Sequence, residues 1–283
     1  MSSPANPAPT IGVFDSGFGG LTVLRALIDR MPGARFAFIG DTARLPYGSK
    51  SRRTIARYAV ESAQFLVREQ GAEFLVIACN TASALALDAI QDAVPVPVLG
   101  VIEPGASAAR AASRTGDVLV IATDATVQSH AYAEACRAQG MRALEKACPL
   151  LVPLVEEGWT SHPVTAEVIG IYLDELNTEA AAHNLHADTL VLGCTHYPLL
   201  RPLIERVIAR VGPSGMQVID SAEAAAEAAV RLFNGRVAPT ATGTAQPTEI
   251  RCFATDSVEK FERLGSRFLG RPVGHVELVD LGG

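Results

Sequence analysis

Basic residues, long apolar runs and paired cysteine motifs are all scarce in this chain of 283 residues. Lysine and arginine together number 24 against 30 acidic residues, and a formal charge of -6 lacks the basic surface that nucleic-acid phosphates require. No apolar run reaches the roughly 20 residues needed to span a membrane, and the first residues carry no basic, apolar leader. We therefore expect neither nucleic acid nor a membrane as a partner, and we expect a cytoplasmic location.

Cysteine and histidine patterns typical of disulfide or metal scaffolds are missing as well. The five cysteines are odd in number and show no C-x-x-C spacing, which argues against a disulfide framework and a structural zinc site. Apart from His196, the histidines lack metal-ligand spacing with a carboxylate partner. We therefore expect free thiols and no bound metal.

The chain alternates apolar strands with helical stretches, and this alternation predicts an α/β fold with mainly parallel sheets. The expected strands cover residues 11–14, 35–39, 74–78, 96–101, 118–122, 150–153, 190–192 and 217–219, with another near residue 250. The expected helices cover residues 21–30, 54–70, 84–93, 126–139, 165–182, 221–233 and 257–268. Residues 235–247, which bear proline and glycine, are predicted to be a flexible connection.

A weak internal repeat suggests that the fold has two similar halves. Residues 11–16 resemble residues 119–124, at about the same distance before a cysteine that follows an apolar run. We expect two pseudo-symmetric α/β domains with the active site in the cleft between them. The first would comprise residues 1–103 and 212–283 and the second residues 104–211, although a single sheet is the alternative.

Cys79 and Cys194 stand at equivalent strand-to-helix turns of these two halves. Strand ends of this kind carry the chemistry of many α/β proteins. A cysteine at a helix start can have its pKa lowered by the free amides there, which would make it a base. Each cysteine could instead be a small buried hydrophobe. Two thiols in matched places favour a cleft in which a proton leaves one face of a carbon and returns to the other.

Several polar segments follow other predicted strands and are open to two interpretations. The loop from Asp15 to Gly20 could bind an anion at a helix start or be a simple capped turn. It is not a dinucleotide fingerprint, because Thr22 replaces the last glycine, and no Gly-Lys-Ser/Thr follows to make a phosphate-binding loop. The loop around Tyr47 could cover a cleft or be ordinary. His196 is close enough to Cys194 in sequence to serve as its partner acid or base.

Six motifs in register resemble glutamate racemase of bacteria. They are Asp15-Ser-Gly-x-Gly-Gly, Gly40-Asp-x-Ala-Arg-x-Pro-Tyr-Gly48, Ala78-Cys-Asn-Thr-Ala82, Ala122-Thr-x-x-Thr126, Val152-Pro-Leu-Val-Glu156 and Gly193-Cys-Thr-His-Tyr-Pro198. The resemblance implies a cofactor-independent enzyme that interconverts L- and D-glutamate and supplies the D isomer for peptidoglycan. It also implies a homodimer, because dimers are common in that family.

The same resemblance assigns roles to residues of this chain. It makes Cys79 and Cys194 the two acid/base residues, assisted by Asp15 and His196, with Glu156 as a further member. The choice between Glu156 and its neighbour Glu157 is open. The substrate-binding positions that it implies are Asp15, Ser16, Tyr47, Gly48, Asn80, Thr81, Thr123, Thr126, Thr195 and His196.

The lysines agree with a reaction that needs no cofactor. Enzymes that remove an α-proton either attach the amine to pyridoxal phosphate or build a hydrogen-bonding cleft. None of the three lysines ends an apolar strand, where a Schiff base would be expected. Two alternatives stay open: a racemase acting on a related substrate such as aspartate, and a two-lobed protein that binds a small anion without catalysis.

Overall fold

The computed structural model describes residues 9–211, 215–233 and 248–282, which form two parallel sheets flanked by helices. The strands are β1 Thr10–Asp15, β2 Arg35–Gly40, β3 Phe74–Ile77, β4 Val98–Gly100, β5 Asp117–Ala122, β6 Arg142–Ala147, β7 Thr189–Gly193, β8 Gln217–Asp220, β9 Glu249–Ala254 and β10 Val276–Leu278. The helices are α1 Leu21–Arg30, α2 Arg52–Arg68, α3 Asn80–Ala93, α4 Ile102–Ala112, α5 Asp124–Ser129, α6 Ala131–Ala138, α7 Leu151–Glu156, α8 Pro163–Ala182, α9 Arg201–Val211, α10 Ser221–Phe233 and α11 Val258–Leu269. Short 3-10 helices lie at Thr42–Arg44, Tyr47–Ser49 and Tyr197–Leu200.

The two sheets repeat one topology, and this confirms the predicted α/β class. The larger sheet has the order β10-β9-β2-β1-β3-β4 and the smaller has β6-β5-β7-β8, with all pairs parallel. Thus β2-β1-β3-β4 corresponds strand by strand to β6-β5-β7-β8. The strands β1, β3, β5 and β7 are buried along their whole lengths, as expected when helices cover both faces of a parallel sheet.

One predicted strand is wrong: residues 150–153 belong to the helix α7, not to a strand. The apolar residues there satisfy a helical period, since Leu151 and Val155 are buried one turn apart. Two strands were not predicted, β6 and β10, and both lie at sheet edges. The apolar pattern does not mark them because β6 is mostly only half-buried and β10 buries only Val276. The helix predicted over residues 126–139 is divided into α5 and α6 at His130, whose φ is 55°.

The return of the chain to the first sheet comes later than expected. The predicted boundary at residue 212 would put β8 in the first domain, but β8 pairs with β7 in the smaller sheet. The division into two domains otherwise stays a prediction. The predicted connection over residues 235–247 lies outside the described residues. Among the helices described, none has the length and apolar character to cross a membrane.

The carboxyl edges of the two sheets face each other across a seam. The hydroxyl of Thr22, at the start of α1, donates a hydrogen bond to the carbonyl of Thr195, which follows β7, over 3.1 Å. The close approach requires glycine at position 19, because a Cβ there would overlap the Thr195 hydroxyl and stand 2.6 Å from the His196 ring. The turns that follow β1 and β7 are therefore packed directly against each other.

Gly40, at the end of β2, allows a test of this tight packing. An added Cβ would overlap the Gly17 carbonyl oxygen and stand 2.6 Å from the Phe261 ring, and a backbone atom cannot yield without moving the turn after β1. We expect Gly40→Ala to lower the free energy of unfolding by about 2 kcal/mol, measured in urea. Gly170→Ala is the control, because its Cβ in α8 would make only ordinary van der Waals contacts, 3.9 Å from Arg210 and 4.0 Å from Val207, and alanine favours the helix. Equal effects of the two changes would contradict this account.

Candidate active site

The two thiols predicted to act together occupy equivalent positions in the two sheets. Cys79 follows β3 and Cys194 follows β7, which are corresponding strands, and each residue is only 5% exposed. The sulfur of Cys79 accepts a hydrogen bond from the amide of Ala82 at 3.4 Å and so caps α3. The same sulfur lies 3.4 Å from the hydroxyl of Ser16, which comes from the turn after β1.

Burial changes the acidity of Cys79 in the direction opposite to that predicted. Burial and, to a smaller extent, the nearby Asp15 carboxylate raise the pKa of its thiol from 9.0 to about 12. The hydrogen bonds from Ser16 and Ala82 lower the pKa of Cys79, but they do not outweigh burial. The amide of Ala82 at the start of α3 therefore stabilises the Cys79 thiolate as expected, but burial outweighs it and keeps the pKa of Cys79 above its ordinary value.

Asp15 is a buried carboxyl group, 1% exposed, at the end of β1. Burial raises its pKa, and the positive charge of His196 opposes this rise. Its Oδ2 accepts a hydrogen bond from the Gly17 amide at 2.9 Å, while its buried Oδ1 has no hydrogen-bond partner within the described ranges. Asp15 therefore acts electrostatically on both Cys79 and His196.

A chain of side chains leads from Cys194 to the surface of the opposite lobe. Nδ1 of His196 lies 4.0 Å from the Cys194 sulfur, and its Nε2 lies 3.3 Å from Oε1 of Glu156. The other oxygen of Glu156 is 3.5 Å from the ammonium of Lys260, on α11. This chain joins the thiol to a carboxylate and a cation.

The Glu156 carboxylate and Cys194 keep His196 charged at neutral pH. Burial lowers the pKa of His196, but hydrogen bonds to Cys194 and Glu156 outweigh it and raise the pKa from 6.5 to about 10. Burial raises the pKa of Glu156, and the stronger effect of His196 and Lys260 brings it below its ordinary value. The contribution of His196 to stability is therefore complete below pH 6.5 and is lost as the pH rises toward about 10.

The geometry favours Glu156 over Glu157, the alternative left open by the sequence. Glu156 ends α7 with its carboxylate turned to His196, and its side chain is 22% exposed. Glu157 is exposed, and no ion pair or side-chain hydrogen bond involves it among the residues described. The predicted grouping of Glu156 with Cys194 and His196 agrees with these distances.

Three threonine hydroxyls meet where the two lobes touch. Thr81 on α3 lies 3.0 Å from Thr123 and 3.2 Å from Thr126, and the latter two are 3.0 Å apart across the start of α5. Gly48 lies beside them, since a Cβ at this glycine would be 3.8 Å from Cβ of Thr123. Hydroxyl groups that converge in this way can donate together to a carboxylate.

Tyr47 and Thr195 are expected to bind substrate directly, but in the structure the hydroxyl of each one lies beside another protein group. The hydroxyl of Tyr47 is buried and donates to Oδ2 of Asp41 at 2.5 Å, and burial raises the pKa of Tyr47 well above its ordinary value. The hydroxyl of Thr195 lies 3.4 Å from Nδ1 of His196. Both residues therefore contact polar neighbours of the site, and Tyr47 uses its hydroxyl proton for Asp41.

Sequence reasoning missed four residues that shape the site. Phe18 packs its ring 6.1 Å from the His196 ring, and Lys260 joins Glu156 from α11. Thr22 holds the Thr195 carbonyl, and Tyr132 accepts a hydrogen bond from the Asn80 side chain at 2.8 Å. The local sequence gives no indication that Lys260 or Tyr132 belongs to the site, because each lies within a helix and is part of no motif.

The groups brought together here are suited to proton transfer and to the binding of carboxylates. A neutral thiol stands on one side, and a thiol beside an imidazolium stands on the other. Hydroxyls and backbone amides between them can hold carboxylates. The buried Asp15 and Asn80 add acceptor oxygens that have no partner within the described ranges.

Comparison with known proteins gives consistent matches over nearly the whole chain. The family model described as Asp/Glu/Hydantoin racemase matches residues 21–229. The glutamate racemase of Koribacter versatilis is 53% identical, covering 97% of this chain and 98% of its own length. A glutamate racemase isoform from Bacillus anthracis has a TM-score of 0.86 at 35% identity, covering 98% and 99% of the two chains. The Francisella tularensis glutamate racemase in complex with D-glutamate has a TM-score of 0.83 at 35% identity, covering 97% and 98%.

Two neighbouring glutamates provide a matched test of the proton chain. Glu156→Gln removes the carboxylate charge beside His196, and we expect the pKa of His196 to fall below about 10, because an imidazolium loses its charged acceptor. Glu157→Gln, one residue away, should leave the pKa unchanged. NMR titration of labelled imidazole nitrogens measures both, with His196→Gln assigning the signal. A lower pKa in the Glu157 variant alone would contradict the assignment.

Proposed function

Since the chain belongs to the Asp/Glu/hydantoin racemase family and its relatives there are glutamate racemases, we propose that it interconverts L- and D-glutamate by passing the α-proton between two thiols. The observation that carries the two-thiol mechanism is the position of Cys79 and Cys194 after corresponding strands of two facing sheets. A planar carbanion between two such groups can be protonated from either side.

The reaction exchanges one proton for another, so the total number of protons on the enzyme and the substrate together is unchanged. In one direction, the thiolate of one cysteine takes the α-proton, and the thiol of the other gives its proton to the opposite face of the carbanion. The substrate is inverted and the two sulfurs have exchanged protonation states. The high pKa of Cys79 makes it the donor of the first proton in the state described, with Cys194 and His196 as the opposing acid/base pair.

Binding of the substrate supports the difficult step, the formation of the carbanion. The hydroxyls of Thr81, Thr123 and Thr126 and the amides near Ser16 and Gly48 would hold the two carboxylates. Fixed donors in a cleft without bulk water stabilise developing charge more strongly than water does, because they need no reorganisation. Asp15 and His196 would assist the thiols on their respective sides.

The product implies a role and a compartment. We propose that D-glutamate made by this chain supplies peptidoglycan synthesis. The five cysteines are free thiols, and a two-thiol reaction requires Cys79 and Cys194 to stay reduced. A reducing compartment, the cytoplasm, fits this requirement.

Removal of either thiol tests the mechanism. We expect Cys79→Ala and Cys194→Ala each to slow racemisation of glutamate by roughly 10²–10⁴-fold or more, since one proton carrier is lost. Protein without added cofactor is incubated with each glutamate isomer in deuterated water, and optical activity and deuterium at Cα are followed together. A variant with one thiol should still admit deuterium into one isomer without inverting it.

The control for these variants is Cys252→Ala, which removes a buried thiol that lies in β9 and is not one of the proposed site residues. This variant should keep wild-type turnover. Near-normal turnover in either site variant, with the control behaving as expected, would refute the two-thiol mechanism. Faster reaction with aspartate than with glutamate would favour the alternative substrate. Tight binding of glutamate with no exchange at Cα would favour a binding protein.

We also propose that the chain forms a homodimer. Exposed apolar side chains of the second sheet's helices support it: Val164 and Ile171, seven residues apart on one face of α8, are 42% and 57% exposed, and Trp159 is 44% exposed. Ile171→Glu should shift the mass measured by light scattering toward that of the monomer. An unchanged mass would exclude this face as the interface.

A further inference from the structure

The side chain of Asn80, next to Cys79, has one hydrogen-bonded end and one end without a partner. Its Nδ2 donates to the hydroxyl oxygen of Tyr132 at 2.8 Å. Its Oδ1 is buried and lacks a hydrogen-bond partner within the described ranges. A buried carbonyl oxygen without a partner is costly, so a donor on a ligand is the natural explanation.

The orientation of the Asn80 amide is fixed by a chain of hydrogen bonds that can run in only one direction. Ser221 donates its hydroxyl proton to the main-chain carbonyl of Leu192 at 2.9 Å, and a carbonyl can only accept. Ser221 also lies beside the Tyr132 hydroxyl, and its oxygen, having given its proton to Leu192, is available as an acceptor there. The oxygen of Tyr132 is left to accept from Asn80, and only the NH2 end of the amide can donate.

The ring of Tyr132 is held rigidly, so that this orientation is not easily lost. Tyr132 is fully buried in α6, in the second lobe, whereas Asn80 belongs to the first. A Cβ at Gly105 would lie 3.1 Å from the ring, and one at Gly193 would lie 2.9 Å from it. The glycine before Cys194 thus makes room for the tyrosine, and this contact gives a physical reason for glycine at that position.

We propose that Tyr132 is a positioning residue that turns the Asn80 carbonyl oxygen toward the α-ammonium of the substrate. This inference rests on the proposed function. The two carboxylates of glutamate accept hydrogen bonds, and its ammonium is the group that donates them, so an oxygen such as Asn80 Oδ1 matches the ammonium alone. The contact crosses the seam, and Tyr132 therefore fixes the amide of one lobe from within the other.

The test compares glutamate with glutarate, the same dicarboxylate without the ammonium. Tyr132→Phe keeps the ring between the two glycines and removes only the hydroxyl. We expect the Kd and KM of glutamate to rise roughly tenfold, with a smaller change in kcat, because a hydrogen bond to a charged group is weakened. The binding of glutarate, measured by calorimetry and as inhibition, should change less than twofold.

Two further variants make the test specific. In an Asn80→Ala background, Tyr132→Phe should have little further effect on KM, because both changes remove the same contact. Tyr172→Phe is the control, since it removes the hydroxyl of another tyrosine of the second lobe, one that accepts from the Leu150 amide. This control should leave the KM and the Kd of glutamate unchanged.

Each outcome supports or overturns the inference. Equal weakening of glutamate and glutarate would show a general loss of structure, and unchanged glutamate binding in Tyr132→Phe would show that the hydroxyl does not position Asn80. If Tyr132→Phe does not fold, Ser221→Ala replaces it, because the tyrosine proton could then turn to Asn80, and the same selective rise is expected. Wild-type protein that binds glutamate without racemising it would contradict the proposed function instead, and its Kd values still decide the role of Tyr132.

Discussion

Burial along the seam between the two sheets determines which hydrogen-bond partners the polar groups of the site have. Once buried, a hydroxyl or amide must find a partner, and here the partners come from the facing lobe. Thr81 meets Thr123, Asn80 meets Tyr132, and Thr22 meets the carbonyl of Thr195. The same contacts therefore hold the lobes together and define the shape of the cleft.

Burial also makes the two halves of the site chemically unequal, although the topology repeats. Around Cys79, the nearest charged group is the carboxylate of Asp15, and both burial and this charge favour the neutral thiol. Around Cys194, His196 carries a positive charge sustained by Glu156 and Lys260. The internal repeat thus provides two equivalent positions for sulfur, and later turns and helices provide different neighbours. The two sulfur positions are therefore alike in topology and different in the charges around them.

How much can be predicted from sequence depends on how local the determining interactions are. Apolar runs ending in Cys79 and Cys194 marked the buried strands β3 and β7, because full burial leaves a continuous hydrophobic signal. The edge strand β6 leaves no such signal, being half-buried and rich in charge. The direction of the Cys79 pKa shift is not predictable from the local sequence, because a helix start can be recognised locally, whereas burial depends on residues distant in sequence such as Phe14, Tyr47 and Phe253. For the same reason, no pattern around Tyr132 could reveal its contact with Asn80.

The unequal halves of the site do not allow the enzyme to prefer one direction. L- and D-glutamate are mirror images with equal free energies in water, so their equilibrium constant is 1, and kcat/KM must be the same for both. The difference between Cys79 and the Cys194–His196 pair can therefore change kcat and KM for each isomer, but only in proportion, so that kcat/KM stays equal for the two isomers. Under the proposed two-thiol mechanism, each protonation form of the enzyme accepts one isomer, and turnover leaves the enzyme in the form that accepts the other isomer. Asymmetric electrostatics therefore set which form is more populated between turnovers, while the symmetry of the substrate fixes the balance of the two directions.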